Sequence, residues 1–424
     1  MRPVAPSFSP LDDELALLPG ALTPTLHEGM GRLGASLPFR EAAALVTHFT
    51  GVAASEATVR RRTEAAGATW GAAQAADVAR LAETAPAPPP GPAVRQLSVD
   101  GAMVPRVGGA WGEVKLLAMG EVTPDPAAPE AVRTTNVSYF ARRAEVGEFV
   151  QQALGETHRR GVETAERVVW LVDGGVWCQE IADTHRPDAL RVLDFPHVVE
   201  HLTAAAEATF GAKTTASQAW VSAQAHELKH GEPAEVMAAL SQLPVEEARD
   251  ESAATAVRDA TGAYVAARWA QIQDAEFRAQ GLPIGSGAVE SGHKRVVLTR
   301  MKGAGMRWAP KPINPMGALR GALCNARWAE AWAAIVTPRR AHDQARRADR
   351  RATRRAARSV TSPPVGTPPQ PLAWLDDRDG RSGDPPRPAP GPPKRVINGR
   401  PTAAHPWKRT FQARPSLPTP VTKL

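Results

Sequence analysis

Between residues 94 and 196 the hydrophobic pattern repeatedly changes period, and the order of those changes restricts the fold more than any other feature of the chain. Residues 96–107, 111–122 and 136–142 read as strands, and a Gly108-Gly109 turn makes the first two a hairpin. Residues 146–161 form an amphipathic helix pattern, 167–172 a continuous apolar strand, 176–185 a second helix and 189–195 a fifth strand. Consecutive strands make a meander, whereas strands separated by helices enter a sheet through crossovers. The spacing therefore predicts an α/β fold built on a mixed sheet, in the order β-β-β-α-β-α-β-α.

A ribonuclease H-like fold has this order. At 424 residues the chain is long enough for two or three domains, and 43% hydrophobic with 22% charged residues excludes wholesale disorder or a coiled-coil rod. Five prolines within residues 86–92 can be neither helix interior nor sheet centre, so 86–93 reads as a stiff linker. Before it, 1–85 is a helical domain. A helical pattern over 39–49 is broken at Thr50-Gly51-Val52, and Ser55 caps a second helix over 56–65 that carries Arg60, Arg61 and Arg62. That is a helix-turn-helix pattern, whose second helix is suited to DNA, although many helical hairpins look alike. After the linker, 94–335 forms one domain, with an all-helical insertion at about 198–278. Residues 336–360 are Arg-rich, and 361–424 hold 16 of the 40 prolines and read as a disordered tail.

The net charge of +7 has one source. Nine Arg and two Asp lie between Arg339 and Arg358, and the remainder of the chain balances. Such a run favours a polyanionic partner, or else is only a solvated face. The longest apolar runs are far short of the roughly 20 residues that span a bilayer, and the first residues lack the basic-then-apolar order of an export signal. Two cysteines, Cys178 and Cys324, provide neither a disulfide framework nor a four-thiolate zinc site. A reducing cytoplasm is expected.

Three carboxylates stand out. Asp100 and Asp173 each end an apolar strand and precede glycine, and strand ends are where an open sheet gathers ligands. Asp before Gly also begins ordinary turns. Glu290 follows a Gly-Ser-Gly stretch that leads into a helix followed by Lys294, Arg295 and Arg300, cations expected where the phosphates of DNA are handled; a first-turn Glu also complements a helix dipole. Three acids from separate elements would suit phosphodiester chemistry, in which two Mg²⁺ ions about 3.5–4 Å apart are held by hard oxygen ligands. Arg300, Lys302, Arg307 and Lys311 surround Trp308, an aromatic and basic combination that suits DNA contact, while Trp177, Trp220, Trp269, Trp328 and Trp332 are further stacking candidates or core residues. No Gly-x-x-x-x-Gly-Lys phosphate loop occurs, so no nucleotide cofactor is expected.

The stretches Ser98-Val99-Asp100-Gly101-Ala102-Met103-Val104-Pro105, Val172-Asp173-Gly174-Gly175-Val176-Trp177, Leu193-Asp194-Phe195-Pro196-His197 and Gly285-Ser286-Gly287-Ala288-Val289-Glu290-Ser291 together resemble a bacterial insertion-sequence transposase of the Kra type, with Mutator-like relatives. The resemblance runs from about residue 30 to residue 335. It implies metal-binding catalytic roles for Asp100, Asp173 and Glu290, two Mg²⁺ or Mn²⁺ ions, and an accessory motif at Asp194 and His197. It further implies double-stranded DNA partners, namely terminal inverted repeats and target DNA, a homodimer or larger assembly, and the bacterial nucleoid as the workplace. A catalytically inactive DNA-binding regulator derived from a transposase, or a structure-specific nuclease, is the alternative.

Overall fold

The computed structural model of the chain describes residues 22–361. The expected tail, apart from its first residue, lies outside them. Three helices lead. Helix α1 (Pro24–Ser36) is capped by Thr23, whose hydroxyl accepts from the Leu26 amide at 3.2 Å. Helix α2 (Phe39–Thr50) ends at Gly51, which takes the left-handed φ of 67° that glycine tolerates. Ser55 then caps α3 (Glu56–Thr84) by accepting from the Thr58 amide at 3.2 Å. The expected end of this helix near residue 65 is wrong by five turns, because the alanine-rich stretch beyond it contains no breaker stronger than two glycines.

The sheet follows. Strands β1 (Val94–Pro105), β2 (Trp111–Asp125) and β3 (Ala128–Arg142) form the antiparallel meander, with Gly108 and Gly109 at φ 88° and 83° in the first turn. Helix α4 (Val146–Arg159), β4 (Arg167–Val172), α5 (Val176–His185) and β5 (Leu190–Leu193) complete it. The strand order is β3-β2-β1-β4-β5, with β4 parallel to both β1 and β5. The expected sheet and its crossovers are present. Strand β1 lies two residues earlier than expected at both ends and β2 runs three residues longer; β3 starts eight residues earlier than its apolar pattern implies, because its first half is a half-exposed edge rich in polar residues. Strand β5 stops at Leu193 because Asp194 and Pro196 already open the next helix.

Helices α6 (Phe195–Phe210), α7 (Thr215–His230), α8 (Pro233–Ser241), α9 (Glu251–Ala266) and α10 (Asp274–Ala279) then form a block with its own core of Leu202, Leu228, Val236, Leu240 and Val265. The chain returns through α11 (Gly287–Gly292), a π-helical turn (His293–Leu298) and α12 (Thr299–Met301). It ends with α13 (Pro310–Cys324) and α14 (Trp328–Thr361), so the Arg-rich segment continues a helix.

Strand alternation divides the core. Leu97, Val99, Leu117 and Met119 face α4 and α5, whereas Ala102, Val104, Leu116 and Ala118 face α11 to α14. Ala66 and Trp70 of α3 enter this second layer, so the leading helices share a core with the sheet across the proline-rich segment. That segment is laid against the body: the Glu166 amide donates to the Pro92 carbonyl at 3.2 Å. Arg300 Nε donates to the Gly34 carbonyl at 3.0 Å, and Trp328 Nε1 to Glu28 Oε1 at 2.9 Å. The described residues up to Ser359 thus form one compact unit rather than two bodies joined by a spacer.

Two glycines of α3 separate close packing from helix propensity. A Cβ on Gly67 would lie 2.2 Å from the Pro315 carbonyl oxygen, whereas one on Gly71 would meet nothing within 4 Å. Gly67→Ala should destabilise the protein by about 1–3 kcal/mol through overpacking, and Gly71→Ala should stabilise it by about 0.5–1 kcal/mol. Urea unfolding of the two variants checks this, and shifts of the same sign would contradict the packing described.

Candidate active site

Parallel pairing of β1 with β4 sets Ser98 opposite Leu171. Asp100 lies two residues farther along β1 and Asp173 one residue past the end of β4, so the two emerge at the same level of neighbouring strands. The two carboxylates feel each other. Burial raises the Asp100 pKa above the usual carboxylate range, and the negative charges of Asp173 and Glu113 add to that, while His293 and the Gly101 amide oppose it. The Gly101 N–H donates to Asp100 Oδ1 at 2.6 Å, and His293 Nδ1 lies 3.4 Å from Asp100 Oδ2.

Asp173 is held from three sides. The Gly175 N–H donates to its Oδ1 at 2.9 Å, and the Cys178 thiol donates to the same oxygen at 3.4 Å. Tyr264 of α9 donates its hydroxyl to the Asp173 carbonyl at 2.6 Å, and Arg268 donates to the Gly174 carbonyl at 2.8 Å. Burial first, and then the charges of Asp173 and Asp194, push the Tyr264 hydroxyl up to about 12, so it remains a donor. Gly174 has φ 85°, and a Cβ there would approach Arg268 Nε to 2.5 Å; both the conformation and the space require glycine. The helical block therefore clamps the turn that presents Asp173.

Glu290 arrives on α11, which packs on the Asp100 side of the sheet through Val289 and Gly292. A Cβ on Gly292 would lie 2.6 Å from Leu116 and 2.7 Å from Tyr139, so the helix sits hard against the strands. The Glu290 side chain is half-exposed and lies 3.7 Å from Lys294 Nζ. His293, three residues on, is the group of this helix that reaches Asp100. Among the described residues, no three His, Cys, Asp or Glu side chains are gathered closely enough to hold a metal ion. Asp100 and Asp173 are adjacent, and Glu290 comes from the helix on the Asp100 side of the sheet while turned to Lys294.

Asp194 ties the end of β4 to the loop before α11. It is buried, its amide donates to the Val172 carbonyl at 2.8 Å, and its Oδ1 accepts from the Ser286 amide at 2.6 Å. The Phe195 amide donates to Ile284 at 2.9 Å, so this junction fixes the loop that delivers Glu290. Burial raises the Asp194 pKa, against the Ser286 hydrogen bonds. His197 lies 3.5 Å from Glu200 and edge-on to His201, which in turn stacks on Tyr264 at 4.0 Å between ring centroids. It touches the support of the site.

The expected DNA contacts divide by exposure. Arg60, Arg61, Lys294, Arg295, Lys302 and Arg307 are exposed, and Arg62 is half-buried. Arg300 is a correction: it is 2% exposed, packs over the Phe39 and Trp308 rings at 4.5 and 5.1 Å, and burial brings its pKa down to about 10. It ties α1 to the body and presents nothing to a phosphate. Trp308 is likewise core, as are Trp328 and Trp332, and its indole donates to the Met301 carbonyl at 3.0 Å.

Tyr264, Arg268, His293, Ser286 and Asp274 were not distinguishable as site residues from sequence, apart from the i, i+3 spacing of His293 from Glu290. No protein-family model and no curated protein matches the chain.

Asp274 offers a test of this electrostatic picture. It is fully buried, neither oxygen has a hydrogen-bond partner among the described residues, and burial, with the charge of Asp194 adding and Arg278 opposing, pushes its pKa up to about 8. A carboxyl whose pKa rises on folding holds its proton more tightly in the folded state, so stability is lost as pH climbs from the unfolded value of about 4 towards the folded one. The stability advantage of Asp274→Asn over the wild type should grow across that window and exceed about 1 kcal/mol at the top of it. Urea titrations over the pH range measure it, and an advantage independent of pH contradicts the assignment.

Proposed function

We propose that the chain is a DNA transposase with a ribonuclease H-like core, cutting element ends and joining them to target DNA. The observation that carries this reading is the pair of carboxylates, Asp100 and Asp173, level with each other on parallel neighbours of a β3-β2-β1-β4-β5 sheet. The helix that carries Glu290 packs on the Asp100 side of that sheet.

The donor chemistry fits a hard divalent cation. Two adjacent carboxylates repel each other, and that repulsion is part of what raises Asp100; a cation between them would relieve it. Asp100 and Asp173 would hold Mg²⁺ or Mn²⁺, and Glu290 would join them by leaving Lys294. Such ions, when bound, supply Lewis-acid stabilisation of the attacking and leaving oxygens. The chain's own residues keep the acids in place. His293 steadies Asp100, Tyr264 and Arg268 hold the Asp173 turn, and Asp194 with Ser286 holds the loop before Glu290.

Water would attack an end phosphodiester, breaking one P–O bond as another forms and freeing a 3′-hydroxyl. That hydroxyl would then attack target DNA with the same balance of bonds, so no nucleotide is consumed. Exposed Lys294, Arg295, Lys302 and Arg307 lie on the segment that follows Glu290, where phosphates would pass, and Arg60 and Arg61 on the first turns of α3 would contact the element end. Joining two ends in concert would call for two or more copies of the chain.

The Glu290–Lys294 contact favours a second reading, a DNA-binding regulator that no longer cleaves. Cleavage separates the two. With Mg²⁺ and DNA carrying the inverted repeats that flank the gene, the wild type should cut and join, and Asp173→Asn should lose more than the roughly 10–100-fold that outer-shell changes cost while still binding the ends. Equal cleavage by both proteins refutes the catalytic assignment, and cut products that never become joined identify a nuclease.

A further inference from the structure

The β1–β2 hairpin extends beyond the acidic pair as an exposed surface of unusual composition. Six large apolar side chains are exposed among the described residues, and three of them, Met103 at 46%, Val107 at 63% and Trp111 at 53%, lie on this hairpin. Single exposed apolar groups need no explanation, but three together do.

Register and alternation arrange them. Met103 is opposite Glu113 and Pro105 opposite Trp111, so Lys115, Glu113 and Trp111 follow one another along one face of β2, with Gly101, Met103 and Pro105 beside them. At the inner end the Lys115 ammonium lies 5.3 Å from the Trp177 ring centroid, and Trp177 and Asp173 both border Gly175. At the outer end Lys302 Nζ lies 5.7 Å from the Trp111 ring centroid. Arg307 is exposed next to Trp308, whose backbone pairs with the hairpin at Pro105 and Val107. The acid on this strip, Glu113, is already bound to Lys115 at 2.6 Å. From Lys115 to Trp111 the strip runs about 13 Å at the rise of an extended strand.

Two indoles, each with an ammonium over its ring, on a strip whose acid is neutralised, match one kind of occupant. An unpaired nucleic-acid strand offers flat faces to stack and phosphates to neutralise, whereas duplex DNA keeps its faces covered. A second copy of this chain would gain from the apolar groups and find no use for the exposed cations Lys302 and Arg307. We propose that the β1–β2 hairpin is a single-strand track, in which Trp111 stacks on an unpaired base and Lys302 and Arg307 take the neighbouring phosphates. Its role rests on the transposase reading: the track would receive a strand separated from its partner next to the cutting site.

The test uses the full chain without divalent ions, a labelled 12-nucleotide oligo-dT, a 12-base-pair duplex, and fluorescence anisotropy over a range of salt. Trp111→Ala should weaken single-strand binding by about 5–150-fold, the range for loss of one base–aromatic stack, with a smaller loss on duplex and an unchanged salt slope. Trp111→Phe should recover most of the affinity. Lys302→Gln, at an exposed position, should lower the slope of log K against log salt by about 0.7, the value for one phosphate of a single strand. Wild-type affinity in Trp111→Ala, or equal losses on single strand and duplex, overturns the proposal. So does a change in its sedimentation with oligo-dT binding intact, which would make the hairpin an interface between copies. Because this binding involves neither Asp173 nor a metal ion, its outcome is separate from that of the cleavage experiment.

Discussion

The parallel pairing of β1 with β4 is the constraint on which the candidate site depends. Because Ser98 faces Leu171, two acids far apart in sequence reach the rim of the sheet at one height. A slip of one residue in that register would turn side chains such as Trp170 and Val172, which pack with Val99 in one layer, towards the opposite one. The register is therefore fixed by the burial of its neighbours. Two close carboxylates would otherwise repel each other, and hydrophobic packing on both sides of the sheet offsets that repulsion.

Elements from other parts of the chain then converge on this rim. The helical block has a core of its own, yet it also sends Tyr264 and Arg268 onto the Asp173–Gly174 backbone. Asp194 links the end of the sheet to the loop before α11, and α11 returns His293 to Asp100. The leading helices contribute from the far side. Trp70 and Ala66 enter the core layer under α13, and Gly67 allows the backbone of α13 to come close. The same close packing makes α3 both a support for the core and the carrier of exposed Arg60 and Arg61.

Much of the sheet was legible in the sequence because its signals are local. The continuous apolar run of β4 and the helix patterns of α4 and α5 each lie within one window, and their ends match closely. Asp100 and Asp173 stand out in the sequence because each lies between an apolar strand and glycine, and Glu290 because it follows a loop of small residues. What could not be read depends on distant contacts. Arg300 and Trp308 look like a basic aromatic surface in one dimension, and only the arrival of Phe39 and Gly34 from the first helices turns them into core. Trp111 reads as an ordinary strand residue, because its exposure follows from how far the hairpin extends past the sheet. The proline-rich segment reads as a spacer, whereas its carbonyls are used by residues 164 and 166. Tyr264 and Arg268 carried no signal, since their partners are backbone groups nearly a hundred residues away.

If Asp100, Asp173 and Glu290 form one divalent-cation site, as proposed, crystals grown with Mn²⁺ should show an anomalous peak between the Asp100 and Asp173 carboxylates, with Glu290 released from Lys294 and turned towards the metal. Crystals at saturating Mn²⁺ with no anomalous peak at these carboxylates, and with Glu290 still on Lys294, would contradict the proposal.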